Sequence, residues 1–180
     1  TTEIYTLSLH DALPISEQDF MMKAKAIGPY GGCSGWYLDT SMNLLKDKGV
    51  CNENQCPYKG SETACPSSCT GTHKIKAWQS TTNLNTIKGV LHKGPVYAGF
   101  AVYSDFSYYK SGVYKYTSGS LRGYHAICIV GYDDNLQCFK VKNSWGTSWG
   151  ESGYFRIGYD QMNNSVKFGT CFGGSFFIAN

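Results

Sequence analysis

Long apolar runs are missing from this 180-residue sequence. None approaches the roughly 18 residues that a helical membrane span requires, and the longest, such as 126–130, suit buried strands. An excess of one charge is also missing. Sixteen Lys and Arg stand against 13 Asp and Glu, a net of +3. So mild a balance argues against nucleic acid or a membrane surface as partner. There is no internal repeat and no low-complexity tract, which leaves an ordinary domain or two small lobes. Cysteine is neither rare nor dense. Eight residues fall short of the roughly 8–10% of a pure disulfide scaffold. They are still many for a cytosolic protein, and they favour an oxidising compartment.

Gly (21) and Tyr (14) are abundant, as suits a loop-rich, partly β protein with tight turns. Residues 1–15 (TTEIYTLSLHDALPI) read, codon by codon, as the translation of a short-read sequencing adapter. They are set aside from fold reasoning as a fusion scar would be. The natural gene is then expected to extend upstream of Ser16, and the lack of a signal peptide carries no information.

In segment 36–48, Leu38, Met42 and Leu45 recur at i, i+4, i+7 and Gly49 follows, which predicts an amphipathic helix. Residues 50–72 hold four cysteines, Pro57 and Pro66, and read as an irregular cross-linked loop. Asn83 caps a second predicted helix that carries Leu84, Ile87 and Leu91 and stops at Gly94-Pro95. Beyond it, 96–103, 112–116, 125–132, 137–142 and 154–159 read as short strands, with Asp133-Asp134-Asn135 turning a hairpin. The fold class is α+β, with a helical, cysteine-bearing part over 16–77 and a β-rich part over 78–180.

Two runs carry chemistry. In Gly123-Tyr124-His125-Ala126-Ile127-Cys128 a histidine opens an apolar strand. In Lys142-Asn143-Ser144-Trp145-Gly146-Thr147-Ser148-Trp149-Gly150 an asparagine follows the returning strand of the hairpin. The hairpin brings Asn143 back beside His125, where an amide oxygen can hold the imidazole's tautomer and ring plane. The Trp145 indole can cover that bond and keep water off it.

These runs resemble the histidine and asparagine-tryptophan motifs of papain-like cysteine peptidases. Ser16-Glu17-Gln18-Asp19 resembles the family segment that leads into a helix. Gly32-Cys33-Ser34-Gly35 resembles its Gly-Cys-x-Gly substrate-binding stretch. Gly94-Pro95-Val96 with the run 105–114 resembles its β-rich right lobe. The resemblance covers residues 16–180. It implies an incomplete two-lobe papain-like fold and cysteine-type endopeptidase chemistry, with no cofactor and no metal. A thiolate attacks the peptide carbonyl, His125 acts as general acid and base, Asn143 orients it and Trp145 shields the pair. The cleft lies between the lobes. Substrate contacts are expected from Gly35, Trp36, Tyr124 and Trp149, and the second subsite from Gly99 and Phe176. Partners would be peptide or protein substrates, a propeptide and cystatin-like inhibitors, the enzyme itself being a monomer.

The family's nucleophile lies in a Gln…Cys-Gly-x-Cys-Trp segment upstream of Ser16-Glu17-Gln18, and no cysteine here has that context. This chain is therefore expected to be inactive by itself. Cys33 matches a structural half-cystine whose partner lies in the missing segment. Trp36 stands where a second glycine is usual, and Phe139 replaces a tryptophan. The usual partner of Cys171 is absent. Catalytic loss in the parent, leaving a homologue that only binds peptides, is the alternative reading. A β-rich binding module with unrelated chemistry is a third, and it would need no His125–Asn143 bond.

Simpler roles stand beside these. Cys51, Cys56, Cys65 and Cys69, with His73 nearby, could hold zinc. Their separations of four, eight and three residues lack tight C-x₂-C pairs and favour disulfides of unassigned connectivity. Cys128 and Cys138 are either a cross-strand pair or two buried thiols. His73 and His92 read as surface residues. Asn163-Asn164-Ser165 is a glycosylation sequon.

Overall fold

The computed structural model describes residues 14–28 and 31–179. The adapter-like segment lies outside them except for Pro14, whose carbonyl accepts the Glu53 N–H at 2.7 Å, and Ile15, which bridges to Asn52. The chain divides into two compact units, residues 14–78 with 178–179, and residues 79–177.

The first unit has little apolar core. Ala24, Leu44 and Val50 are buried, with Phe20, Trp36 and Leu45 partly buried against them. Polar fastening makes up much of the difference. Helix α1 (Glu17–Ile27) starts at Ser16, whose hydroxyl accepts the Asp19 N–H at 2.9 Å and donates to Cys56 O at 2.6 Å. Gln18 is fully buried. Its Nε2 donates to the carbonyls of Ser61 and Thr63, and its Oε1 accepts the Lys59 N–H. Asp19 accepts the Cys51 N–H at 2.9 Å and pairs with Lys23. The Ser-Glu-Gln-Asp run is thus more than a lead-in to a helix: it satisfies the backbone of the cysteine-rich loop, which has no strand ladder to do so.

Helix α2 (Leu38–Asp47) buries Leu38 and Met42 of the expected stripe, with Leu45 half-buried, and adds Leu44 to the buried face. Gly49 ends it with φ +64 and donates its N–H to Leu44 O at 3.0 Å, a left-handed glycine stop. Cys51–Cys69 and, nested within it, Cys56–Cys65 are disulfides. The zinc reading gives way, because these sulfurs are bonded to one another. His73 is half-buried rather than a surface residue, with Nε2 2.7 Å from Asn52 Oδ1. With so small a core, the cross-links should carry the unit. Reduction is expected to remove about 2–4 kcal/mol per bond, read as loss of amide-exchange protection at Val50 and Cys51.

The second unit is built on a sheet. Strand β1 (Ala77–Thr81) precedes helix α3 (Leu84–Leu91), whose cap Asn83 accepts the Thr86 N–H at 3.0 Å. Then follow β2 (Val96–Tyr103), β3 (Val113–Tyr114), β4 (Leu121–Asp133), β5 (Cys138–Lys142), β6 (Tyr154–Gly158) and β7 (Ser175–Ala179). The order across the sheet is β1-β7-β2-β4-β5-β6-β3, antiparallel at β2–β4, β4–β5 and β5–β6, and parallel at β3–β6. The expected strand 112–116 shrinks to two residues. The expected strand 125–132 begins four residues earlier, at Leu121. Neither β1 nor β7 was foreseen. Phe100, Phe106, Phe139, Phe155 and Phe168 are fully buried in one continuous core.

Candidate active site

Strand pairing places the histidine and asparagine. In β4–β5, Ile129 faces Val141 and Cys128 faces Lys142. Extending this register by one residue sets Asn143 opposite Ile127. His125 lies two residues from Ile127, on the same face of β4. The Asn143 N–H is anchored on Gly153 O at 2.9 Å, so the loop 143–153 closes at the start of β6. Its tightness depends on glycine. Gly150 has φ +56, and a Cβ there would lie 2.6 Å from Tyr154 O.

His125 Nε2 and Asn143 Oδ1 are 2.8 Å apart. Which atom donates follows from a third group. The backbone N–H of Ser144, which can only donate, also points at Asn143 Oδ1 from 2.8 Å. The facing atom is therefore the amide oxygen, Nε2 carries the proton, and in the neutral ring the lone pair is on Nδ1. Asn143 is buried, and its Nδ2 has no hydrogen-bond partner among the described residues. The Trp145 ring lies 5.2 Å from the imidazole at 33° and is itself 38% exposed. Beneath it, Phe106 contacts Trp145 at 5.5 Å and Trp149 at 5.1 Å between ring centroids. Phe100 underlies the imidazole at 6.1 Å.

The papain family cysteine protease description matches residues 2–171. The chain belongs to the papain family. The cathepsin B-like CP3 of Giardia intestinalis is 36% identical over 140 residues, covering 69% of this chain and 47% of that protein. The chain thus spans about half the length of the curated relatives it matches. Bromelain protease of Ananas comosus, solved with the E64 inhibitor, superposes with a TM-score of 0.74 at 27% identity, covering 98% of this chain and 82% of that one. Digestive procathepsin L 3 of Tenebrio molitor gives 0.77 at 25% identity, covering 97% and 58%. The α+β, papain-like fold and membership in a cysteine-protease family follow.

The other residues that the family likeness singled out divide by unit. In the first, Gly35 is exposed, with φ +82, after a single 3₁₀ turn, and Trp36 packs on the small core. In the second, Tyr124 is 57% exposed and Trp149 half-buried. Gly99 lies buried in β2, its carbonyl accepting the Gly169 N–H. Phe176 is 1% exposed in β7, opposite Tyr97 of β2.

The cysteines also resolve. Cys33 is free and exposed, and only the other four loop candidates are bonded. Cys128 and Cys138 do not pair. The register sets Cys128 opposite Lys142 and Cys138 opposite Asp133, and both remain thiols. Burial raises both thiols above the ordinary value, and it pushes Cys171 up to about 11.

Sequence reasoning missed a clamp beside the tryptophan loop. Both Glu151 oxygens accept from the Arg156 guanidinium, and Oε1 also accepts the Gly112 N–H at 3.0 Å. Burial alone would raise the Glu151 carboxyl. The Arg156 and Gly112 bonds outweigh it, and the net direction is down. A carboxyl lowered in the folded state stabilises fully above its unfolded value of about 4.3 and loses that contribution as pH falls through the folded value. Glu151→Gln is accordingly expected to flatten the acid limb of a stability–pH profile below about pH 4.3 while lowering stability at neutral pH. An unchanged acid limb would show the clamp to be inert. Ser144 N–H is the other missed part, since nothing in sequence marks a backbone donor.

Proposed function

We propose that this chain contributes the general acid/base of a papain-type cysteine endopeptidase, His125, together with its orienting amide, Asn143, and its shield, Trp145. The reading rests on the fixed tautomer: an Nε2–H committed to Asn143 leaves Nδ1 free to exchange a proton with a nucleophile. A thiolate stabilised by the imidazolium attacks the peptide carbonyl, and His125 passes its proton to the departing amine. The ring then deprotonates the water that cleaves the thioester.

The nucleophile is assigned outside residues 16–180. A catalytic thiol needs a depressed pKa. Cys128, Cys138 and Cys171 are shifted upward by burial, and Cys33 matches the family's half-cystine. Residues 1–15 are assigned to adapter translation. Gly35, Trp36, Tyr124 and Trp149 are assigned to substrate contact, and peptides, a propeptide and cystatin-like inhibitors are the proposed partners. The disulfides and cathepsin-like relatives support a secreted or lysosomal setting.

The test joins residues 16–180 to a family-type nucleophile segment. Thiol-dependent peptide hydrolysis and a covalent adduct with an epoxide inhibitor are expected, while the chain without that segment turns over no peptide. If the joined protein folds and binds peptides without turnover, the peptide-binding homologue takes its place. Turnover by the chain without it would overturn the assignment of the nucleophile.

A further inference from the structure

One motif is left unused by the peptidase chemistry. Asn163-Asn164-Ser165 is the only Asn-x-Ser/Thr tripeptide in the chain. It follows the 3₁₀ turn Tyr159–Met162, which caps the end of β6. The turn presents its three residues unequally. Asn164 is tied down: its Nδ2 donates to Gln161 Oε1 at 2.8 Å, and its Oδ1 accepts the Val166 N–H at 2.9 Å. Gln161 is itself 3% exposed and accepts the Tyr116 N–H at 3.0 Å, so this anchor reaches into the core. Downstream, Val166 and Phe168 are fully buried, and Thr170 Oγ1 donates to Met162 O at 2.9 Å. The two side chains that define the sequon point the other way. Asn163 and Ser165 are exposed, and neither makes a side-chain hydrogen bond among the described residues. The loop is held from its middle residue, and the amide and hydroxyl that a glycosyl transferase reads are left to solvent.

The position also spares the site. β6 begins at Tyr154, paired with Lys142 beside Asn143, and ends at Gly158, paired with Cys138. Four residue steps at about 3.3 Å each set the two ends of the strand roughly 13 Å apart, and Asn163 lies beyond the far end. The two disulfides supply the compartment, since they form on the secretory route where such transfer takes place.

We propose that Asn163 is an N-glycosylation site, occupied by an oligosaccharide delivered from a polyprenyl-diphosphate donor. Asn163 Nδ2 forms a bond to C1 of the first sugar. The C1–O bond to the diphosphate breaks with its electron pair, the lipid diphosphate leaves, and Nδ2 gives up one proton.

The test is to express the full chain behind a signal peptide in a eukaryotic secretory host. Retained and secreted fractions are both read, so that retention of the chain does not hide the result. One glycan is expected, removed by peptide N-glycosidase, which converts Asn163 to Asp in the 162–167 peptide. Asn163→Gln and Ser165→Ala should abolish it, whereas Asn164→Gln should keep it. Mass spectrometry of the wild-type peptide gives the answer even where a variant misfolds. An unmodified Asn163 in both fractions, or a glycan that persists in Asn163→Gln, would overturn the proposal.

Discussion

Replacing His125 by Ala, in a protein that joins residues 16–180 to a nucleophile segment, is expected to lower kcat/KM for a peptide at least about 10,000-fold, the upper range for a positioned acid/base. The loss should exceed that of an acid alone because one ring does two tasks. As imidazolium it holds the nucleophile as a thiolate, and as acid it protonates the leaving amine. Removing it lets the thiol return toward its free value of about 8.5. The acid limb of the inhibitor-alkylation profile should therefore move up in pH as turnover disappears. A variant that only unfolded would lose both signals without that shift. Asn143→Ala tests the orienting bond separately. The 2.8 Å contact to Nε2 fixes tautomer and ring plane, and a fall in kcat of about 10- to 100-fold is expected, the range seen for the outer-shell partners of metal-bound histidines. KM should change little, because the amide is buried away from solvent. Should His125→Ala keep activity within tenfold, the ring is a core histidine and the acid/base assignment fails.

How much of this was legible depended on whether a residue's role is local. The hairpin was readable because Asp133-Asp134-Asn135 turns between two apolar runs, and its register alone carries Asn143 back to His125. The Asn83 cap and the Gly49 stop were readable for the same reason: each side chain or φ angle serves a neighbour within a few residues. The disulfide pairing was not readable, since four cysteines within one loop allow three connectivities and only the fold selects among them. Gln18 is a sharper case. In sequence it is one polar helix residue, yet it is fully buried because loop carbonyls more than 40 residues away need a donor. The Glu151 clamp is likewise non-local in its second half, since the Gly112 N–H it accepts comes from 39 residues away.

Phe106 is where the core and the site meet. It is fully buried, and its ring lies within 5.5 Å of Phe100, Tyr114, Trp145, Trp149 and Phe155, centroid to centroid. Phe106→Ala removes a ring that several neighbours use at once, so the cavity cannot collapse from one side. A cost of about 3–5 kcal/mol is expected. At roughly 2–4 °C per kcal/mol for a chain of this size, that is a fall of about 10 °C in Tm. Tyr108→Ala, two residues on and 80% exposed, should change stability by no more than about 0.5 kcal/mol. The damage should also reach the chemistry. Trp145 packs on Phe106 and lies 5.2 Å from the imidazole, so if it shields the His125–Asn143 bond as proposed, a loosened indole would admit water to that bond and weaken it. Phe106→Leu separates the two effects. It restores most of the volume but not the edge-to-face contact with Trp145, so it should recover most of the stability while the Trp145 fluorescence stays altered. If Phe106→Ala lowers Tm and leaves both the indole emission and the kcat/KM of the joined protein unchanged, the roof over the imidazole does not depend on this ring.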